Sequence, residues 1–171
     1  MHLRAEPISA GQFATFGTIV SCDRDDRPAS DANLGSAQRR DFLVDVTNLR
    51  PQARLNVASF RCRPWSARPL QLRMLEKHPM STQLFVPMSA GAFLVVVARG
   101  DEAPDLATAR AFVVEGGGQG VGYAPGVWHH PMIALNADID FTCLVWEDGT
   151  ALDCVSHPLA ELLTVDGLPA L

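Results

Sequence analysis

Apolar positions along the chain fall in short runs, broken every few residues by Gly, Pro or Asp, with little of the three-to-four spacing of a helix face. That pattern predicts an all-β sandwich or barrel. Candidate strands are FLVDVT (42–47), RLNVASFR (54–61), LQLRMLEKH (70–78), TQLFVPM (82–88), AFLVVVA (92–98), AFVV (111–114), the stretch after Trp128, DFTCLVW (140–146) and LDCVSH (152–157). So many short strands suit two packed sheets. AFLVVVA is apolar at every position, so both its faces must be covered, by a second copy of the chain or by another sheet. Helical signals are few. ISAGQFATFG (8–17) reads as a short helix capped by Ser9, with Phe13 and Phe16 on one face and Gly17 as its stop. DLATAR (105–110), after Pro104, and PLAELLTV (158–165), after a strand ending at His157-Pro158, each suit a helical turn. The polar, turn-rich CDRDDRPASDANLGSAQ (22–38) reads as a long loop, a candidate lid.

Length and charge narrow the class. A chain of 171 residues suits one compact domain over 1–171 with its own core. A net charge of -5, with no basic cluster beyond Arg39-Arg40, points away from nucleic acid and anionic membranes and toward small molecules or proteins. No run approaches the roughly 18 apolar residues of a membrane span. MHLRAEPIS lacks the apolar centre of a signal peptide, so the expected location is the cytoplasm. Cys22, Cys62, Cys143 and Cys154 are scattered, without a Cys-x-x-Cys pair, and read as reduced thiols.

The candidate chemistry begins in LQLRMLEKHP. Strict alternation places Leu70, Leu72, Met74, Glu76 and His78 on one face, so an apolar stripe ends in an acid and a histidine. Either the strand leaves the core at Glu76, or the carboxylate meets a cation, a metal or a donor there. Glu-x-His on one inward face is a spacing suited to metal ligation or proton transfer. YAPGVWHHP (123–131) places His129 and His130 side by side behind a Pro-Gly turn. Neighbours in a strand face opposite ways: His129 goes with Val127, Ile133 and Leu135, and His130 with Trp128, Met132 and Ala134. His130 reaches the rim only if Pro131 bends the chain; otherwise it packs under Trp128. His2 and His157 read as surface residues. GGGQGVG (116–122) is followed by neither Lys-Ser nor Lys-Thr nor a helix, so it reads as a turn into a strand rather than a phosphate loop. Arg99-Gly100-Asp101 is a plain turn.

Glu76-x-His78, then Gln83, then Gly91 resembles the first cupin motif, and Gly126 to His129 resembles the second. The departures are Glu76, where a histidine is usual, and Gln83, where a glutamate is usual; a neutral amide is the weaker metal donor. LEKHPMSTQLFVPM, PDLATARAFVVEGGGQGVGYAPGVWHHP and DIDFTCLVW together resemble the ureidoglycolate lyase family, from about Asn33 to Trp146. RRDF and WEDG depart from the family pattern, which has a histidine-aspartate pair after the early arginine and Asp-Arg-Gly after the last core strand.

The resemblance implies an all-β, cupin-like double-stranded β-helix or jelly-roll barrel with a few short helices. It also implies a homodimer, an association with nickel, and release of urea and glyoxylate from ureidoglycolate. Under that reading Glu76, His78, His129 and His130 are the candidate catalytic residues. Glu76, His78, Gln83 and His129 are the candidate ligands of a divalent transition metal, in a site that could also work without metal. Arg61 is the favoured carboxylate clamp, because an arginine fork holds a carboxylate through two parallel hydrogen bonds, with Arg63 as its alternate. Arg39 resembles the early arginine and could close over substrate with Asn33; Gln83 and Tyr123 are further candidate substrate contacts. Two other classes stay open: a metal-dependent cupin oxygenase or isomerase, and a non-catalytic cupin that binds small carboxylates.

Overall fold

The computed structural model describes residues 1–115 and 117–169; Gly116 of the glycine-rich turn lies outside them. In chain order the elements are β1 (His2–Pro7), α1 (Ala10–Phe13), β2 (Gly17–Ser21), β3 (Ser30–Ala32), a 3-10 turn (Asn33–Gly35), β4 (Ala37–Arg39), β5 (Arg54–Cys62) and β6 (Leu70–Lys77). They continue with β7 (Gln83–Pro87), β8 (Phe93–Arg99), β9 (Asp105–Val114), β10 (Gln119–Tyr123), β11 (Trp128–His129), β12 (Ile133–Ala134), β13 (Ile139–Glu147) and β14 (Val155–Asp166). The architecture is all-β, as expected.

One sheet runs β2-β10-β7-β13-β5. The other runs β11-β6-β14-β1-β9-β8-β12, and because β11 also pairs with β8 it closes into a barrel. Two cores result. Leu94, Val96 and Ala98 of β8 join Leu70, Leu72, Leu75, Trp128 and Leu163 inside the closed barrel. Phe93, Val95 and Val97 join Phe85, Tyr123 and Phe141 between β8 and the five-stranded sheet. The uniformly apolar AFLVVVA is therefore a wall shared by two cores, which requires apolar side chains on both faces.

Several sequence expectations are corrected. DLATAR is strand, not helix: β9 starts at Asp105 and pairs with β8 and then β1. PLAELLTV is strand too. β14 passes through Pro158, and a register shift between Pro158 and Leu163 accommodates a residue that cannot donate to the ladder. FLVDVT forms no strand; it crosses the outer face of the five-stranded sheet, with Val44 against Gly122 and the Val46 carbonyl accepting from Trp146 Nε1 at 3.2 Å. Its alternating pattern covers a sheet instead of joining one. The 22–38 loop contains the β3–β4 hairpin, whose turn residue Leu34 is fully exposed. β1 carried no signal in its own pattern, because pairing with β14 and β9 decides it. The Ser9 cap holds, with Oγ accepting from Gln12 N, and Phe13 and Phe16 are both buried.

Candidate active site

The site forms where β6 and β11 lie side by side, with Glu76 directly opposite His129. A turn places the second histidine-bearing strand. Gly126, at φ 80°, donates its N–H to the His78 carbonyl at 2.9 Å, and Val127 N donates to Ala124 O. Few residues but glycine adopt that backbone conformation easily. The ligating atoms of Glu76, His78 and His129 all lie within 4.8 Å of one another. The His78 and His129 rings stack at 5.7 Å, and Tyr123 stacks on His129 at 4.1 Å.

The inward placement of Glu76 does not come from the alternation expected along β6. Leu70, Leu72 and Leu75 all lie in the closed-barrel core, so the alternation slips between 72 and 75 and turns Glu76 to the other face. The slip lies opposite the Pro158–Leu163 irregularity of β14. A second slip follows at Pro131. Val127, Met132 and Ala134 lie with the Tyr123 core while Ile133 and Leu135 lie with the barrel core, so the expected grouping of His129 with Ile133 and Leu135 is corrected.

Burial sets the protonation of this cluster. His129 is about 1% exposed, and burial pushes its pKa down to about 3 despite the Val127 carbonyl. That carbonyl can only accept, so Nδ1 at 3.0 Å carries the proton and Nε2 presents its lone pair toward Glu76. His129 Nε2 and Glu76 Oε1 are 3.8 Å apart, too far for a hydrogen bond, and a neutral imidazole makes no ion pair. Burial also lowers His78, opposed by the neighbouring Asp153 backbone and by the Glu147 and Asp153 charges, and it raises Glu76, opposed by the Cys154 thiol. Both ring nitrogens of His78, His129 Nε2 and Gln83 Oε1 are buried without a hydrogen-bond partner. Two imidazoles with unpaired nitrogens, converging on a carboxylate with an amide oxygen nearby on the fold, fit a divalent transition metal.

The family model for ureidoglycolate lyase matches residues 1–166, a longer span than the sequence motifs covered. A ureidoglycolate lyase of Pseudomonas syringae pv. syringae is 37% identical over 166 residues, 96% of this chain and 95% of the relative. One of Azotobacter vinelandii is 38% identical over 159 residues, 93% of each. This chain belongs to the ureidoglycolate lyase family. A dTDP-4-dehydrorhamnose 3,5-epimerase from Bacillus anthracis superposes with a TM-score of 0.42 at 12% identity over 80% of this chain and 82% of that one, too remote to bear on the site.

Within this member of the ureidoglycolate lyase family, the other candidates have different fates. Gln83 is buried and pairs with Tyr123 across β7 and β10, on the same face as Phe85 of the inner core. Tyr123 is a correction: it is fully buried, backs His129 with its ring and points its hydroxyl at Met132 Sδ, so it is no open substrate contact. His130 is another, because it leaves the cluster. Its ring packs edge-on to Trp65, not under Trp128, and its Nδ1 lies 2.8 Å from the Pro131 carbonyl. Arg61 is a third. It sits on the outer face of β5 opposite Asp140 and forks onto that carboxylate with two 2.8 Å bonds, directed away from the inner core. The inner face of β5 belongs to Ala58 and Cys62, so the parity of the strand excludes Arg61 and Arg63 alike. Arg39 is paired with Asp41 and Asn33 is exposed, both on the β3–β4 hairpin and not at the cluster.

The sequence reading passed over Glu147. It follows Phe141, Cys143 and Val145 at every second position along β13, faces the same interior, and accepts from Asn56 Nδ2 at 2.7 Å. That period-two spacing was visible in DFTCLVWE. A cavity of about 320 Å³ lies elsewhere, between β1 and the segment around Leu168, and includes none of the three clustered residues.

Proposed function

We propose that this chain is a ureidoglycolate lyase that cleaves ureidoglycolate to glyoxylate and urea, a carbon–nitrogen lyase step in allantoin degradation. The single observation that carries the assignment of chemistry to residues is the meeting of Glu76, His78 and His129 in one buried cluster, in a chain whose relatives carry that activity in their names.

Ureidoglycolate holds a carboxylate, a hydroxyl and a urea nitrogen on one carbon. Its cleavage moves one proton from the hydroxyl to the nitrogen: the O–H pair becomes the new C=O bond, and the C–N pair leaves with urea. No electrons are exchanged. Burial keeps His129 and His78 neutral, each with a lone pair free to receive the hydroxyl proton, and the carboxylate of a substrate bound beside them would favour their charged forms and offset the loss of basicity that burial causes. Glu76, held above its usual range by burial, is the group best placed to carry a proton to the departing nitrogen. Gln83 orients the substrate by hydrogen bonding. In the alternative, metal-loaded site the same Glu76, His78 and His129, with Gln83 as a weak fourth donor, would hold a divalent transition metal, nickel being the family's association, and their lone pairs would then ligate instead of transferring protons. Such an ion would act as a Lewis acid on substrate oxygens.

The test is incubation with racemic ureidoglycolate, before and after chelation, following urea, glyoxylate and ammonia. Urea and glyoxylate in equal amounts are expected. Ammonia in place of urea would identify an amidohydrolase instead, and no turnover in either state would sink the assignment.

We further propose a homodimer in the cytoplasm, where its thiols would stay reduced. The free edge of β5 supports a paired state: Leu55 and Val57 on its outer face are 42% and 63% exposed, and Phe60 is 45% exposed. Among the described residues no helix is long and apolar enough to cross a membrane.

A further inference from the structure

We propose that Arg50 is a positioning residue for this site: its guanidinium fixes the turn from Asp148 to Cys154, and that turn holds His78 and Glu76 in place. The proposal rests on the ureidoglycolate reading for its kinetic consequence, though not for its geometry.

Arg50 lies ahead of β5, outside any strand, yet its side chain is only 4% exposed. Nη1 donates to Asp148 Oδ1 at 2.6 Å and Thr150 Oγ1 at 3.1 Å; Nη2 donates to Asp153 Oδ1 at 2.6 Å and the Trp146 carbonyl at 3.1 Å. The Asp153 carboxylate also accepts the backbone N–H groups of Asp148 and Gly149 at 3.0 and 2.7 Å. One cation thus ties the end of β13 to the start of β14. From that turn two contacts reach the cluster. The pairing of Val155 with Lys77 brings Asp153 and Cys154 alongside His78, and the Cys154 thiol points at Glu76 Oε2 from 3.8 Å. Two residues on, Ser156 pairs with Glu76 in the β14–β6 ladder, so the turn also sets where that ladder begins.

Physical chemistry favours a geometric role over a purely stabilising one. Taking a guanidinium and two carboxylates out of water is costly, and apolar residues of similar volume often stabilise as well or better. What the planar fork uniquely supplies is fixed direction to several acceptors at once, which a lysine cannot reproduce. Outer-shell partners of this kind commonly change activity or metal affinity by about 10- to 100-fold when altered.

The experiment compares Arg50→Lys with Val165→Ala, a substitution in the closed-barrel core remote from the turn, as a control for lost stability. Thermal midpoints, kcat and KM for urea release, and the side-chain NMR signals of His78 are measured for each. Arg50→Lys is expected to lower kcat by about tenfold or more with KM little changed, and to shift the His78 signals, while the control does neither. Unshifted His78 signals, or a kcat within about twofold of the control, would overturn the proposal. Should Arg50→Lys fail to fold, Asp153→Asn, which keeps the side-chain shape and weakens the ion pair, is read by the same two criteria. If the wild-type protein releases no urea, the functional reading fails, and the His78 signals alone still decide the role of Arg50.

Discussion

His129 and His130 are adjacent in sequence and chemically identical, yet one sits in the cluster and the other against Trp65. The difference is the side of the strand each occupies, fixed by the pairing of His129 with Glu76 and Val97. His129→Ala is expected to reduce kcat for urea release by about 100-fold or more, the usual range for a lost proton-transfer group, and His130→Ala by no more than a few-fold. Equal losses would mean that orientation on the strand does not select the working imidazole. The choice of His129 was legible, because the cupin-like spacing from Gly126 selects it. The place of Arg61 was not legible. An arginine's partner is a matter of which cross-strand neighbour it meets, and only the β5–β13 register places Asp140 there.

At the scale of elements, strands with a clean turn at each end were readable, whereas those whose pattern depends on a neighbour were not. The run 105–110 has enough alanine to suit a helix, but β8 and β1 offer it two ladders, and pairing overrides a weak propensity. β6 shows the opposite case: its alternation looked regular and the structure breaks it where β14 carries extra residues between its pairings with Met74 and Leu72. β5 raises a question of assembly. It is a nine-residue edge strand with exposed Leu55, Val57 and Phe60 and no proline or lysine to blunt it, an arrangement natural sheets usually protect. In the proposed homodimer, Val57→Lys is expected to shift the protein from dimer to monomer in sedimentation equilibrium. A wild-type monomer, or an unchanged dimer in the variant, would remove β5 from the interface.

For the whole molecule, the buried imidazoles tie stability to pH. His78, His129 and His130 are all held below the ordinary 6.5 by burial, with main-chain acceptors opposing the shift. As pH falls through 6.5 the unfolded chain takes up protons that the native state refuses, so stability is lost on acidification and is fullest above that value. Glu76 has the opposite sign: its raised pKa lets the native state keep a proton above 4.5 after the unfolded chain has released it. Asp140, Asp148 and Asp153 lie below 3.8 and become relevant only in stronger acid. Three imidazoles outweigh one carboxyl, so the urea midpoint of unfolding should fall between about pH 7 and pH 5. A midpoint that stayed level or rose would show that these histidines are protonated in the native state.

The sequence by itself determined the all-β class, the family, and the residue types of the cluster, because local pattern and motif spacing are properties of a chain read in order. Tertiary structure alone decided which faces those residues present. The slip of alternation in β6 turns Glu76 toward His129, and a slip exists only relative to a paired strand. The same holds for the charges: Arg61 is bound on the outside and Arg50 on the inside because each pairs with carboxylates brought to it from some 80 to 100 positions away.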